Sequence, residues 1–272
     1  VEEGQSATVS VSLAQLASDA DFSINDNALY TAQREVTLNL AGFAFSSVQV
    51  SETANFTEMA APLPRQDAQS YSLSEGDGPK RIFVRFTNSS AAPYEFSKVY
   101  SASIILDTTA PSLSPIAAAE YTRALVVPVS LIASDAGSGL AQMQINGGAW
   151  EAFRARIDVT VSTGDGPKTI SVKVRDNLGN ESSARSTTVT LDTQAPEVSG
   201  DIFTINGADT HTNLANVQLQ FDVSGADFVQ ISETQAFTET TTVAYRSSGN
   251  FPWYLSGADG SKTLYVRFLD QA

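Results

Sequence analysis

Cysteine is absent from the 272 residues, and histidine occurs once. The first absence excludes disulfides, thiolate metal sites and cysteine nucleophiles, but it does not fix the compartment, because many exported bacterial proteins also lack the residue. The second leaves His211 as the sole imidazole. It sits in the polar run Asp209-Thr210-His211-Thr212-Asn213 and reads as a solvated loop position rather than the base of a catalytic triad. No apolar run approaches the roughly 20 residues needed to span a bilayer, so membrane insertion is not expected. The charged start Val1-Glu2-Glu3-Gly4 is unlike a signal peptide, and whatever directs export is expected to have been removed. Positive charge is scarce too: 16 Lys and Arg stand against 30 Asp and Glu, for a net charge of -14 and a pI of about 4.4. Nucleic acid and anionic headgroups are repelled by such a surface.

What is present in quantity is apolar material, 42% of residues, enough for a core in each of two or three domains. It is organised as a repeat. The segment Gly78-Pro79-Lys80-Arg81-Ile82-Phe83-Val84-Arg85-Phe86 recurs from Gly166 and again from Gly260, with Asp77, Asp165 and Asp259 before each glycine. Val48-Gln49-Val50-Ser51-Glu52-Thr53 reappears as Val229-Gln230-Ile231-Ser232-Glu233-Thr234, and Phe22-Ser23-Ile24-Asn25 as Phe203-Thr204-Ile205-Asn206, both at an offset of 181 residues. Between units run Leu106-Asp107-Thr108-Thr109-Ala110-Pro111 and Leu191-Asp192-Thr193-Gln194-Ala195-Pro196. Proline denies an N–H to a ladder and holds the residue before it extended, so each run stops a strand and passes the chain onward. These marks divide the sequence into an N-terminal strand extension (residues 1–16) and three domains (17–110, 111–195 and 196–272).

Within each unit apolar residues alternate with period two, as in Val36, Leu38 and Leu40, or Val217, Leu219 and Phe221. Turn chemistry such as Asn146-Gly147-Gly148 separates the runs. About seven short strands in about 90 residues predict an all-β chain of three tandem immunoglobulin-like β-sandwiches. The short Pro-containing linkers predict an elongated array.

The linker Asp-Thr-x-Ala-Pro, the segment Ser134-Asp135-Ala136-Gly137-Ser138-Gly139-Leu140, the Asp-Gly-Pro-Lys turn and the corner Asp176-Asn177-Leu178-Gly179-Asn180 resemble bacterial immunoglobulin-like repeats. These occur in surface adhesins, surface-layer-associated proteins and spacers of secreted polysaccharide hydrolases. The resemblance covers nearly the whole chain; the middle unit departs from its siblings in having Gln144-Ile145-Asn146 where they have Ser-Glu-Thr. It implies an exported, cell-surface location. It also implies calcium near the linkers, with Asp107 and Asp192 at the two linkers and Asp135 and Asp176 in nearby loops as hard oxygen ligands. Asp and Asn also cap turns in such loops, and both readings stand at this point. EF-hand spacing is absent.

Sequons at Asn55, Asn88 and Asn180 leave glycosylation open. The aromatics Trp150, Phe153, Trp253, Tyr254, Tyr94 and Phe96 serve either as core and inter-strand packing or as a carbohydrate platform. The acid pairs Glu2-Glu3 and Asp19-Asp21 read as solvated charge, since nothing gives either pair a shared pocket. No catalytic residue is expected.

The expected function is non-enzymatic: a subunit of a surface fibre or a segment of an adhesin stalk, with surface receptors or glycans as further partners. The alternative is a carbohydrate-binding or spacer array of a secreted polysaccharide-degrading enzyme. The fibre version rests on a mismatch. The first and middle units close with strands at 100–107 and 186–192, whereas the third has none after its 263–268 strand. The alternating run containing Thr8, Val9, Val11 and Leu13 is then a donor strand, and the strand carrying Leu264, Val266 and Phe268 its acceptor, giving head-to-tail self-association. The other reading of residues 8–13 is the remnant of a preceding repeat.

Overall fold

A computed structural model describes residues 22–56, 61–89, 92–238, 240–247 and 249–272. The expected strand at 8–13 lies outside the described residues. The architecture is all-β, in tandem immunoglobulin-like sandwiches. The alternation that marks the strands in sequence becomes their burial: Glu35-Val36-Thr37-Leu38-Asn39 runs exposed, buried, exposed, buried, exposed.

The first repeat contains β1 (Ser23–Ile24), β2 (Tyr30–Thr31), β3 (Glu35–Asn39), β4 (Ser47–Ser51), β5 (Leu63–Pro64), β6 (Ala68–Ser72), β7 (Gly78–Thr87) and β8 (Tyr100–Leu106). Its sheets have the orders β1-β3-β6 and β2-β8-β7-β4-β5. All pairings are antiparallel except β2 with β8, where Tyr30 pairs with Ile105 and Thr31 with Leu106. Phe22, Val36, Leu38, Val48, Ile82, Val84, Phe86, Ile104 and Leu106 are among the core residues, and Phe43 stacks on Phe86 at 4.3 Å.

In the middle repeat the strands are β9 (Ser112–Leu113), β10 (Ala117–Ala118), β11 (Tyr121–Thr122), β12 (Val126–Ser130), β13 (Ala133–Ser134), β14 (Leu140–Ile145), β15 (Trp150–Ala152), β16 (Arg156–Thr160), β17 (Gly166–Asp176) and β18 (Arg185–Leu191). The orders β10-β12-β16 and β11-β18-β17-β14-β15 repeat those of its predecessor, with a short β9-β13 pair added. The parallel contact recurs as Tyr121 with Thr190 and Thr122 with Leu191.

The third repeat has β19 (Glu197–Ile205), β20 (Asn216–Ser224), β21 (Phe228–Ser232), β22 (Thr241–Ala244), β23 (Phe251–Tyr254) and β24 (Tyr265–Leu269), in the orders β19-β20-β23 and β22-β21-β24. Leu264, expected as an inward residue of the last strand, immediately precedes that strand and packs against the core. Val217, Leu219, Phe221, Val223, Val229, Ile231 and Phe251 form the core.

The chain divides into two compact units, and both draw on the middle repeat. One comprises residues up to Pro115 with Leu131–Ala155 and Ser171–Arg185; the other comprises Ile116–Ser130, Arg156–Ile170 and Ser186–Ala272. Among the described residues no helix is long and apolar enough to cross a membrane.

Candidate metal centre at the first linker

Strand β8 ends on buried Leu106, and the next N–H, of Asp107, donates to the Thr31 carbonyl at 2.9 Å, extending the parallel contact with β2 by one bond. Asp107 is 1% exposed. Its Oδ2 accepts the Ser138 N–H at 2.6 Å, and its carbonyl accepts from Asn180 Nδ2 at 3.0 Å. The linker aspartate is therefore enclosed by loops that belong to the repeat after it.

Those loops are themselves fixed. Asp135 Oδ2 accepts the N–H groups of Gly137 (3.1 Å) and Gly139 (2.7 Å). Asp176, 2% exposed at the end of β17, receives the N–H groups of Leu178 and Asn180 on Oδ1, both at 2.9 Å, and Asn180 Nδ2 on Oδ2 at 2.7 Å. Asn177 Nδ2 bridges to the carbonyls of Ser138 (2.7 Å) and Gly139 (3.1 Å).

Asp107, Asp135 and Asp176 each bring one carboxylate oxygen to within 4.8 Å of the others. Among the described residues no Lys or Arg forms an ion pair with any of the three. Three like charges, two of them buried, repel unless a cation joins them. Carboxylate oxygens and the carbonyls around them are hard donors of the kind calcium takes. A cleft of about 640 Å³ lined by Tyr30, Asp77, Asp107, Thr109 and Asp135 opens beside the cluster.

Of the four aspartates singled out in the sequence, the structure brings three together. Asp192 repeats the local geometry of Asp107, donating its N–H to the Thr122 carbonyl at 2.9 Å and accepting the Gln194 N–H on Oδ1 (3.0 Å) as Asp107 accepts that of Thr109 (3.4 Å), but it joins no carboxylate group among the described residues. The segment of the third repeat that corresponds in sequence to residues 134–139 is Ser224-Gly225-Ala226-Asp227, which has no Gly-Ser-Gly and whose aspartate accepts the Gln271 N–H at 3.1 Å.

Two features escaped sequence reading. Asn180, marked there as a turn residue and a sequon, uses its side-chain amide to hold Asp107 and Asp176 together; that nitrogen is the atom a glycan would need. The aspartates before the first two anchor glycines clasp the linkers that follow. Asp77 Oδ1 accepts the N–H (3.0 Å) and hydroxyl (2.8 Å) of Thr108, and its Oδ2 accepts the Thr109 hydroxyl at 2.5 Å. Asp165 Oδ1 accepts the N–H (3.0 Å) and hydroxyl (2.9 Å) of Thr193. The hydroxyls of Thr109 and Thr108 hold the Asp77 carboxyl below the ordinary carboxylate range, and Thr193 does the same for Asp165. The paired spacing of Asp-Gly and Asp-Thr in the first two repeats was the available signal.

The aromatic residues are placed differently. Trp150 is half-buried with the Arg175 guanidinium 4.4 Å above its ring, and Arg175 is held in turn by Gln142. Arg85 over Phe56 and Phe96, with Gln49, repeats this, as does Arg267 over Phe237, with Gln230. Tyr94 and Phe96 are tilted by 48°, while Trp253 and Tyr254, adjacent on β23, point to opposite faces. None of these pairs is a coplanar exposed platform. His211 is exposed, with Nδ1 3.0 Å from Thr210 Oγ1.

No family model and no curated protein matches the chain. Among solved structures it is similar to Clostridium thermocellum CbhA fibronectin(III)-like modules, at 12% identity and a TM-score of 0.36, over 63% of this chain and 94% of that one. It is also similar to the chicken CNTN1 FN1–FN3 domains, at 9% identity and a TM-score of 0.37, over 92% of this chain and 93% of that one. Scores this low leave the fold to be read from the strand orders and registers themselves.

Proposed function

We propose that this chain is a non-enzymatic structural segment of an exported surface protein, of the adhesin-stalk or extracellular-fibre kind, and that calcium closes its first linker. The supporting observation is the burial of Asp107 beneath the loops of the next repeat, with Asp135 and Asp176 converging on it and, among the described residues, no Lys or Arg ion-paired with any of the three. Bound calcium ties the residue after the last strand of one sandwich to two loops of the next, adding to the bonds from Ser138 and Asn180 that already hold it there.

The test is thermal melting of the whole chain in calcium and in chelator. A site filled to about a hundred times its Kd adds about 2.7 kcal/mol, which corresponds to roughly 5–10 °C for a body of this size. Asp107→Ala, Asp135→Ala and Asp176→Ala should each remove the response, and Asp192→Ala should keep it. Identical curves with calcium and chelator in the native chain would leave these aspartates as turn formers.

A specific observation favours a further version in which another copy adds a strand beside β24. Val84, Phe86, Val172 and Val174 are at most 1% exposed, but the matching Val266 and Phe268 are only half-buried, and β24 has β21 as its sole neighbour among the described residues. The run with Thr8, Val9, Val11 and Leu13 alternates like β18, whose Val189 and Leu191 are buried. A peptide of residues 6–14 should raise the melting temperature of the third repeat, and deleting residues 1–14 should abolish polymers. Fibres that assemble from the truncated chain sink this version and leave the calcium joint standing.

A further inference from the structure

The repeats align Tyr30-Thr31-Ala32 with Tyr121-Thr122-Arg123. Both Tyr-Thr pairs form the parallel contact with the closing strand, and both threonine carbonyls accept the N–H of the linker aspartate, Asp107 or Asp192, at 2.9 Å. Asp176 and Asp270 also correspond, since each stands at the same distance after its anchor glycine, Gly166 or Gly260. Each buried carboxylate thus lies in the repeat that follows one of these Tyr-Thr pairs.

Here the two linkers diverge. Asp176 meets two other carboxylates, whereas Asp270 meets a guanidinium: Arg123 Nη2 lies 2.5 Å from its Oδ1. The Asp270 side chain is 1% exposed and that of Arg123 57%. Oδ1 also accepts the Ala272 N–H at 3.2 Å, and Oδ2 is buried without a hydrogen-bond partner among the described residues. A carboxylate so enclosed is costly to hold charged without a cation against it, and removing the one partner leaves that charge uncompensated. Where the first linker has half-buried Ala32, too short to reach any carboxylate, the second has a side chain long enough to deliver positive charge.

We propose that Arg123 is a tethered cation that clamps the middle repeat to Asp270 of the third, at the position where the first linker leaves its carboxylates to a free divalent ion. The chain then carries one joint that responds to calcium and one that does not. The contrast rests on the calcium reading of the first linker; the clamp does not.

A double-mutant cycle on the whole chain tests the clamp. Arg123→Ala should lower the melting temperature of the third repeat by about 2–6 °C, equally in calcium and in chelator. In an Asp270→Asn background, which keeps the shape and removes the charge, the same substitution should shift it by less than about 1 °C. Ala32→Arg, which supplies the first linker with the missing guanidinium, should raise the melting temperature in chelator and cut the calcium response to less than half. Additive effects of Arg123→Ala and Asp270→Asn, or an Arg123→Ala defect that calcium repairs, overturn the clamp. A native chain without calcium response but with intact Arg123–Asp270 coupling supports the clamp and overturns the calcium reading instead.

Discussion

A methyl group on residue 137 would sit 2.2 Å from Asp107 Cγ and within 2.5 Å of both its carboxylate oxygens, so only glycine lets this loop close over the linker. Gly137→Ala is expected to push the Asp107 carboxylate out of its hydrogen bond to Ser138 and to destabilise the first unit by about 1–3 kcal/mol, read from its thermal transition. Asp77 and Asp165 matter through their charge. Each is more acidic in the fold than in the unfolded chain, so its contribution is complete above the ordinary aspartate range near pH 4 and is lost as pH falls through the depressed value. Melting between pH 6 and pH 3 should therefore be steeper for the native chain than for the Asp77→Asn, Asp165→Asn double variant. Equal slopes would mean that the threonine clasps contribute nothing to the acid sensitivity. The residue types were legible in the sequence, but the contacts were not: Gly137 meets Asp107, and Asp77 meets Thr108, 31 positions away.

Matching strands can be compared directly, because β7, β17 and β24 occupy corresponding positions in the repeat in different surroundings. Val172 lies between β14 and β18 and is 1% exposed, whereas its counterpart Val266 has a neighbouring strand on one side only among the described residues. Val172→Ala should cost about 2 kcal/mol in the transition of its own repeat and Val266→Ala less than half of that, unless a strand from elsewhere covers β24. Equal costs in native material would indicate such a strand. Period-two alternation made these strands legible in the sequence, and proline with Asp-Thr marked their ends. What it could not convey was which loops meet. Asn180 bonds to a carbonyl 73 positions away, and Arg175 covers Trp150 through a pairing of β14 with β17 that exists only after folding. Asp192 was grouped with Asp107 because their linkers read alike. The difference lies in the repeat that follows: Asp135 joins Asp107, whereas the corresponding segment of the third repeat has no Gly-Ser-Gly and its Asp227 bonds Gln271.

For the molecule as a whole the dominant electrostatic fact is a net charge of -14, which any salt will screen. Site binding and screening separate at matched ionic strength: 1 mM calcium chloride should raise the melting temperature well beyond sodium chloride, and equal effects would mean that calcium acts only as a diffuse counterion. The repeat itself was visible from its anchors at Gly78, Gly166 and Gly260, but the two compact units, each taking part of the middle repeat, were not, since compactness depends on contacts that no periodicity records. The parallel pairing of β2 with β8, repeated by β11 with β18, has a mechanical meaning. It joins the entry of a sandwich to its exit, so a pull on the two ends runs along the paired strands in opposite directions. The bonds of Tyr30 and Thr31 with Ile105 and Leu106, and the Asp107 bond beyond them, are then sheared together rather than peeled one after another, and the sandwich yields only when the whole set gives way.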